Sequence, residues 1–468
     1  NANTQARKST KATAVPYPPI RLNQQEHECL EAQAVKTVMK KIKKINLFSS
    51  LVLFLAIILS PVVKAQEAEK NQTPRTIEEL RKAILEVLQE THTPAAGIAL
   101  VNKEGPVWIE GLGKADREQG IEADEETMFR IGSTSKIFVA LAVLRLQEQG
   151  KLSLKDRVRD LIPEIKFENS WEDTNPVLVE HLLEHTTGWD DLHLVEYYQK
   201  GPEMLSLKEA LDFHPHSRKS RWVPGTRMSY CNTGPNVAAY IVEKVTGHPY
   251  EEYIKENFFS PMGIETMTYR LSEDYKKKGA TLYKEGWPSE YGHMLMRASG
   301  SINASPKDMA KMVQLFINRG KIDSTQLIAE SSLKRMETPS TTSGARSGLN
   351  YGYGLCLYTS PHESFIYYKH GGGVGNGISD FSYLPEYGVG YSILINSGDA
   401  NAIRKLSELV RDFQTQNLPH PEKPTLVSTY RGACSVSGYY QPINPGTDIV
   451  NLPPLTASRA WTERDTLY

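Results

Sequence analysis

Cysteine is scarce: four in 468 residues, at Cys29, Cys231, Cys356 and Cys434, with no Cys-x-x-Cys spacing. That argues against a disulfide framework and against a cysteine-based zinc site. Net charge is scarce too. The 54 Lys and Arg are offset by 55 Asp and Glu, leaving −1 and no electrostatic case for a nucleic-acid partner. No internal repeat is visible. What the chain does have is length and 40% hydrophobic residues, enough for one large domain or two moderate ones, each with a real core.

The near-zero charge hides an asymmetry. Nine Lys/Arg oppose three Asp/Glu up to Lys44, which leaves about −7 for the remainder. Met39 opens a basic stretch, Lys40-Lys41-Ile42-Lys43-Lys44. An apolar run from Leu47 to Leu59 follows, and then Val63-Lys64-Ala65. This is the layout of a signal peptide over 39–65, cleaved after Ala65, and it predicts an exported, periplasmic or extracellular protein. The rival is an uncleaved anchor, although the run is short for a membrane span. Membrane contact is expected only through this segment. Residues 1–38 read as disordered or as translated upstream sequence. Beyond about residue 420 the pattern loses its period, so 421–468 read as a linker or an incomplete module, leaving 66–420 as the main domain.

Within that domain, Thr76-Ile77-Glu78-Glu79 is a capping-box pattern, and Ile77, Leu80, Ile84, Val87 and Leu88 form a helical stripe. Gly97–Val101 and Val107–Gly111, joined through Lys103-Glu104-Gly105, predict a hairpin. Strand signals return at Phe365–Lys369, Asp380–Leu384 and Val389–Asn396, the last two flanking a Pro385–Gly388 turn. Ala400–Thr415 predicts a closing helix. The expected fold is α+β: an antiparallel sheet built from both chain ends, flanked by N- and C-terminal helices, around a mostly helical inserted subdomain.

Three short motifs carry chemistry. Ser133 and Lys136 stand in Ser-x-x-Lys, which puts a hydroxyl and an amine on one face of a helical turn. Burial would lower the lysine pKa and let a neutral amine take the serine proton. Tyr230-Cys231-Asn232 lies just before a helical pattern. A loop tyrosine can shuttle a proton if a nearby cation lowers its pKa, and the asparagine amide can orient the lysine and a substrate carbonyl. His370-Gly371-Gly372-Gly373 closes a predicted strand, where glycines admit a substrate backbone and a free N–H can serve an oxyanion hole. Taken singly, each has a bland reading: a capping serine, a capping asparagine, a flexible glycine loop.

The order Ser-x-x-Lys, Tyr-x-Asn, His-x-Gly resembles the serine β-lactamase and penicillin-binding-protein superfamily, in its class C β-lactamase-like branch. Leu182-Leu183-Glu184-His185-Thr186-Thr187-Gly188, Ala298-Ser299-Gly300-Ser301 and Tyr351-Gly352-Tyr353-Gly354 agree with it. The resemblance implies a β-lactamase/transpeptidase-like fold and a serine hydrolase working by an acyl-enzyme on β-lactam, D-amino-acid peptide or short-chain ester bonds. It implies Ser133 as nucleophile, with Lys136 and Tyr230 sharing proton transfer. Substrate binding would fall to Asn232, His370, Gly372 and Gly373, with the N–H groups of Ser133 and Gly373 on the oxyanion. No cofactor or metal is implied, and the partner is a small-molecule or peptide substrate. The chain departs from the β-lactamase Lys-Thr-Gly at His370-Gly371-Gly372, which moves weight toward esters and peptides.

Two other readings stay open. His181, Glu184 and His185 match the H-x-x-E-H pattern of a zinc metallopeptidase. A penicillin-binding sensor that acylates without turnover is the other. Trp189-Asp190-Asp191 reads as cleft wall or loop, and Cys231 as a small buried apolar residue.

Overall fold

The computed structural model describes residues 73–421, apart from 194, 195, 197, 200–204 and 214, and four short strands at 438–440, 458–460, 462–463 and 466–467. The expected segments 1–38 and 39–65 lie outside the described residues, as does most of 421–468. In that tail, Gly438–Tyr440 pairs with Ser458–Ala460, and Thr462–Glu463 with Thr466–Leu467. No helix among the described residues is long and apolar enough to cross a membrane.

Helix α1, Ile77–Glu90, starts where the Thr76 hydroxyl accepts the Glu79 N–H. The return bond of a capping box is displaced: Glu79 accepts the Arg75 N–H instead. Strands β1 (Ala95–Asn102), β2 (Gly105–Asp116) and β3 (Ile121–Glu122) follow. After the helical region come β4 (Tyr358–His362), β5 (Phe365–Val374), β6 (Gly377–Leu384) and β7 (Val389–Ile395). They form one antiparallel sheet in the order β4-β5-β6-β7-β1-β2-β3. The two chain ends meet at β1–β7, with Ile98 opposite Ile393.

The period-2 alternation of strand side chains gives the sheet two buried faces. Ala96, Ile98 and Leu100 pack with Leu80 and Ile84 of α1 and with Leu406 and Val410, which belong to the closing helix α5, Ala400–Thr415. Ala95, Ala99 and Val101 face the opposite core. That core holds the inserted helices α2 (Lys136–Glu148) and α3 (Thr233–Thr246), with α4 (Pro306–Ile317).

Helix α2 positions the chemistry. Ten of its thirteen residues are buried, so it runs through the interior and not along the surface. Each fully buried Leu or Ile there contributes about 1.5–3 kcal/mol of transfer free energy. Its first residue is Lys136, carried into the core with the rest. Helix α3 ends at Gly247, whose φ of 74° is the left-handed conformation that glycine adopts freely.

Candidate active site

Ser133 lies in the 3₁₀ turn Gly132–Ser135 that leads into α2. The turn is tied to the sheet: Thr134 Oγ1 shares a hydrogen bond with Ser379 Oγ at 2.8 Å, and Ser379 donates to the Ile131 carbonyl at 2.7 Å. Lys136 Nζ donates to Ser133 Oγ at 2.9 Å, to Asn232 Oδ1 at 2.7 Å and to the Ser299 carbonyl at 2.7 Å. Burial lowers the Lys136 pKa to about 7, and the Asp191 carboxylate pulls it back upward by a smaller amount. As a neutral amine, Lys136 keeps two N–H groups for Asn232 and Ser299. Its lone pair then faces the Ser133 hydroxyl.

Asn232 occupies the N-cap position of α3, yet its side chain makes no capping bond. Asp191 fixes it instead. The Asn232 backbone N–H and Nδ2 donate to Asp191 Oδ1 at 2.9 and 3.0 Å, and Nδ2 also reaches Oδ2 at 3.2 Å. A carboxylate only accepts, so it holds the amide nitrogen and turns Oδ1 toward Lys136. Asp191 thus orients a residue of the site, a task that the reading of Trp189-Asp190-Asp191 as cleft wall or loop did not give it.

The Tyr230 hydroxyl hydrogen-bonds Ser133, and its ring lies 5.1 Å from Lys136 Nζ. The condition named for proton shuttling, a pKa lowered by a nearby cation, is not met. Burial dominates and raises it well above the ordinary value, with the Ser133 bond a smaller opposing effect. Burial therefore favours the neutral phenol at Tyr230.

The glycine run forms the last part of its strand, which extends beyond the expected Lys369. Strand β5 continues through it to a two-residue turn, Gly375-Asn376, with φ of 53° and 68°, the signature of a type I′ hairpin. A Cβ on Gly372 would fall 1.9 Å from the Ile131 carbonyl oxygen and 2.8 Å from the Ser133 nitrogen. One on Gly132, at φ 52°, would fall 2.4 Å from the Gly373 nitrogen. Only glycines let the strand and the nucleophile turn lie this close, which sets the backbone nitrogens of Ser133 and Gly373 beside each other.

His370 is buried, with Nε2 at 2.7 Å from the Tyr353 hydroxyl and Nδ1 at 2.6 Å from the Gly371 carbonyl. Both ring nitrogens are engaged within the protein, so a direct bond to substrate would require breaking one of these contacts. Its position is behind Tyr230, with ring centroids 6.4 Å apart.

The three residues of the H-x-x-E-H pattern go to separate networks. His181 Nδ1 accepts the Leu178 N–H, Glu184 binds Arg335, Ser340 and Thr341, and His185 faces Tyr353. No three His, Cys, Asp or Glu side chains among the described residues converge as metal ligands. Cys231 and Cys356 are buried free thiols, each pushed up to about 12 by burial and so unsuited to act as thiolates.

Comparison with known proteins shows the family and the fold. PbpX of Bacillus subtilis (strain 168) is 28% identical over 316 residues, 66% of this chain and 72% of that protein. Penicillin-binding protein 4 of Amycolatopsis lactamdurans is 25% identical over 343 residues, 69% of this chain and 86% of that one. Among solved structures, the octameric penicillin-binding protein homologue from Pyrococcus abyssi superposes with a TM-score of 0.61 at 27% identity, covering 84% of this chain and 86% of its own. A β-lactamase/D-alanine carboxypeptidase from Pseudomonas syringae shares the fold at TM-score 0.59 and 18% identity, over 73% of this chain and 99% of its own. The family model described as Beta-lactamase matches residues 75–413, which span the sheet, the inserted helices and every site residue above. The chain belongs to the Beta-lactamase family, within the serine β-lactamase and penicillin-binding-protein superfamily.

Proposed function

We propose that this protein is an exported serine hydrolase of the class C-like branch that forms an acyl-enzyme on Ser133 and turns over uncharged ester or amide substrates. The observation that carries the reading is the buried Lys136 amine, 2.9 Å from Ser133 Oγ and able to be neutral near pH 7. Lys136 takes the Ser133 proton as Oγ attacks the acyl carbon. The N–H groups of Ser133 and Gly373 receive the oxyanion, and Asn232, itself held by Asp191, holds the lysine through Oδ1. On collapse the proton passes through the Tyr230 phenol to the departing group, which restores the free amine. Lys136 then activates water against the acyl-enzyme. The basic stretch Lys40–Lys44 and the apolar run Leu47–Leu59 support export.

The substrate preference rests on the third motif. His370 stands where β-lactamases of this resemblance carry a lysine. Burial lowers its pKa to about 3, so it brings no positive charge for a substrate carboxylate. The test is steady-state turnover of a short-chain nitrophenyl ester, a chromogenic cephalosporin and a D-Ala-D-Ala peptide by the full chain. The ester is expected to exceed the two carboxylate-bearing substrates in kcat/KM by about tenfold or more, the loss of one charge-assisted contact. A cephalosporin hydrolysed faster than the ester would overturn the preference. A stoichiometric burst without turnover would make the protein an acylating sensor.

A further inference from the structure

Behind Tyr230 lies a row of side chains that the chemical step above does not use. The Cys231 backbone N–H donates to His185 Nδ1 at 3.3 Å. A nitrogen that accepts this bond carries no proton, so the His185 proton sits on Nε2, which faces the Tyr353 hydroxyl at 3.1 Å. At the other end, His370 Nδ1 lies 2.6 Å from the Gly371 carbonyl, which can only accept, so that nitrogen is protonated. His370 Nε2 lies 2.7 Å from the same Tyr353 hydroxyl. Tyr353 accepts from His185, and its single proton is left for His370 Nε2. Each bond therefore has one direction: Cys231 N–H to His185, His185 to Tyr353, Tyr353 to His370, His370 to the Gly371 carbonyl. The reverse order would set a protonated His185 Nδ1 against the Cys231 N–H, two donors facing each other.

The row touches both halves of the site. The Tyr230 ring packs on His185 with centroids 4.3 Å apart, and on Tyr353 at 6.2 Å. Its far end grips Gly371, next to the glycine that lies against the Ser133 turn. His185, Tyr353 and His370 are all buried, and burial holds both imidazoles well below their ordinary pKa.

We propose that His185 and Tyr353 are positioning residues that, through one fixed order of protons, hold His370 uncharged and lock the Tyr230 ring and the Gly371–Gly373 strand in register against Ser133. The role rests on the hydrolase reading above, since it acts on the geometry of that reaction. Two long aromatic side chains from distant parts of the chain are rigid supports at low entropic cost, and misplacement of a reacting group by about 1 Å costs about 100-fold.

The experiment uses the full chain labelled with ¹⁵N-histidine and reads tautomers from long-range ¹H–¹⁵N correlations at neutral pH, together with nitrophenyl ester kinetics. The native chain is expected to show His370 protonated on Nδ1 and His185 on Nε2. Tyr353→Phe keeps the ring and removes the hydroxyl. It should lose the single His370 tautomer and lower kcat about tenfold, with KM within twofold. His185→Asn is the second variant, in case the first does not fold: it still accepts the Cys231 N–H, is too short to reach Tyr353, and should give the same kcat-selective loss. A merely structural role would lower thermal stability and leave the kcat of folded protein unchanged. His370 protonated on Nε2 in the native chain, or native kcat in a folded variant, would overturn the proposal. Correct tautomers in a native chain that hydrolyses no ester would instead defeat the hydrolase reading and leave the hydrogen-bond order standing.

Discussion

Ser133→Ala is expected to lower kcat for ester turnover by about 10³-fold or more while the protein stays folded. The size follows from the chemistry: without Oγ there is no acyl-enzyme, and loss of a nucleophile in a coupled constellation removes nearly all of its advantage. The folded state tolerates the change because Ser133 is only half-buried and its hydroxyl contacts are to Lys136 and Tyr230. The backbone turn is held by other groups, Thr134 and Ser135, the latter donating to the Gly132 carbonyl at 2.7 Å. Steady-state release of nitrophenol, read beside a thermal melt, checks both parts. Turnover within tenfold of the native rate would remove Ser133 from the mechanism.

Lys136→Met is expected to lower kcat/KM by about 10³-fold, within the roughly 10²–10⁴ range of a positioned general base. The pH profile gives the sharper reading. Burial favours the uncharged amine, so the native chain should lose kcat/KM as pH falls through about 7, with a one-proton slope. That limb vanishes in Lys136→Met. In Asp191→Asn it moves to lower pH, because the negative charge of Asp191 raises the lysine pKa and its removal takes that support away. The same shift has a stability consequence of fixed sign. Between about 7 and the ordinary 10.5 the unfolded lysine carries a proton that the folded one lacks, so this group makes stability rise with pH across that window. A limb near 7 that persists in Lys136→Met would assign the ionisation to another group.

How much of this was legible in the sequence depends on distance along the chain. Ser133 and Lys136 are three residues apart, and helical geometry alone predicts that they meet. The strand at Val389 and the closing helix at Ala400 were legible because period-2 and period-3.6 patterns record which face is buried. Asp191 was not legible: it lies 41 residues from Asn232, and nothing local in Trp189-Asp190-Asp191 distinguishes a carboxylate that orients an amide from one on a loop. His185 and Tyr353 were visible only as parts of motif-like stretches, since their hydrogen bond spans 168 residues. The strand through Gly371–Gly373 was cut short because glycine disfavours strands. In the fold, pairing with Ile378–Asp380 and the close approach of the Ser133 turn outweigh that preference. The direction of the Tyr230 shift was open in the sequence for a related reason: depth of burial is not written locally, and in the fold burial raises it.

The most direct test of the central claim is peptide-resolved mass spectrometry of the full chain, acid-quenched during turnover of a short-chain nitrophenyl ester. The account predicts one acyl group on the peptide that contains Ser133, present during turnover, gone once substrate is exhausted, and absent in Ser133→Ala. Turnover accompanied by an acyl group on any other residue, or undiminished turnover in Ser133→Ala, would contradict it.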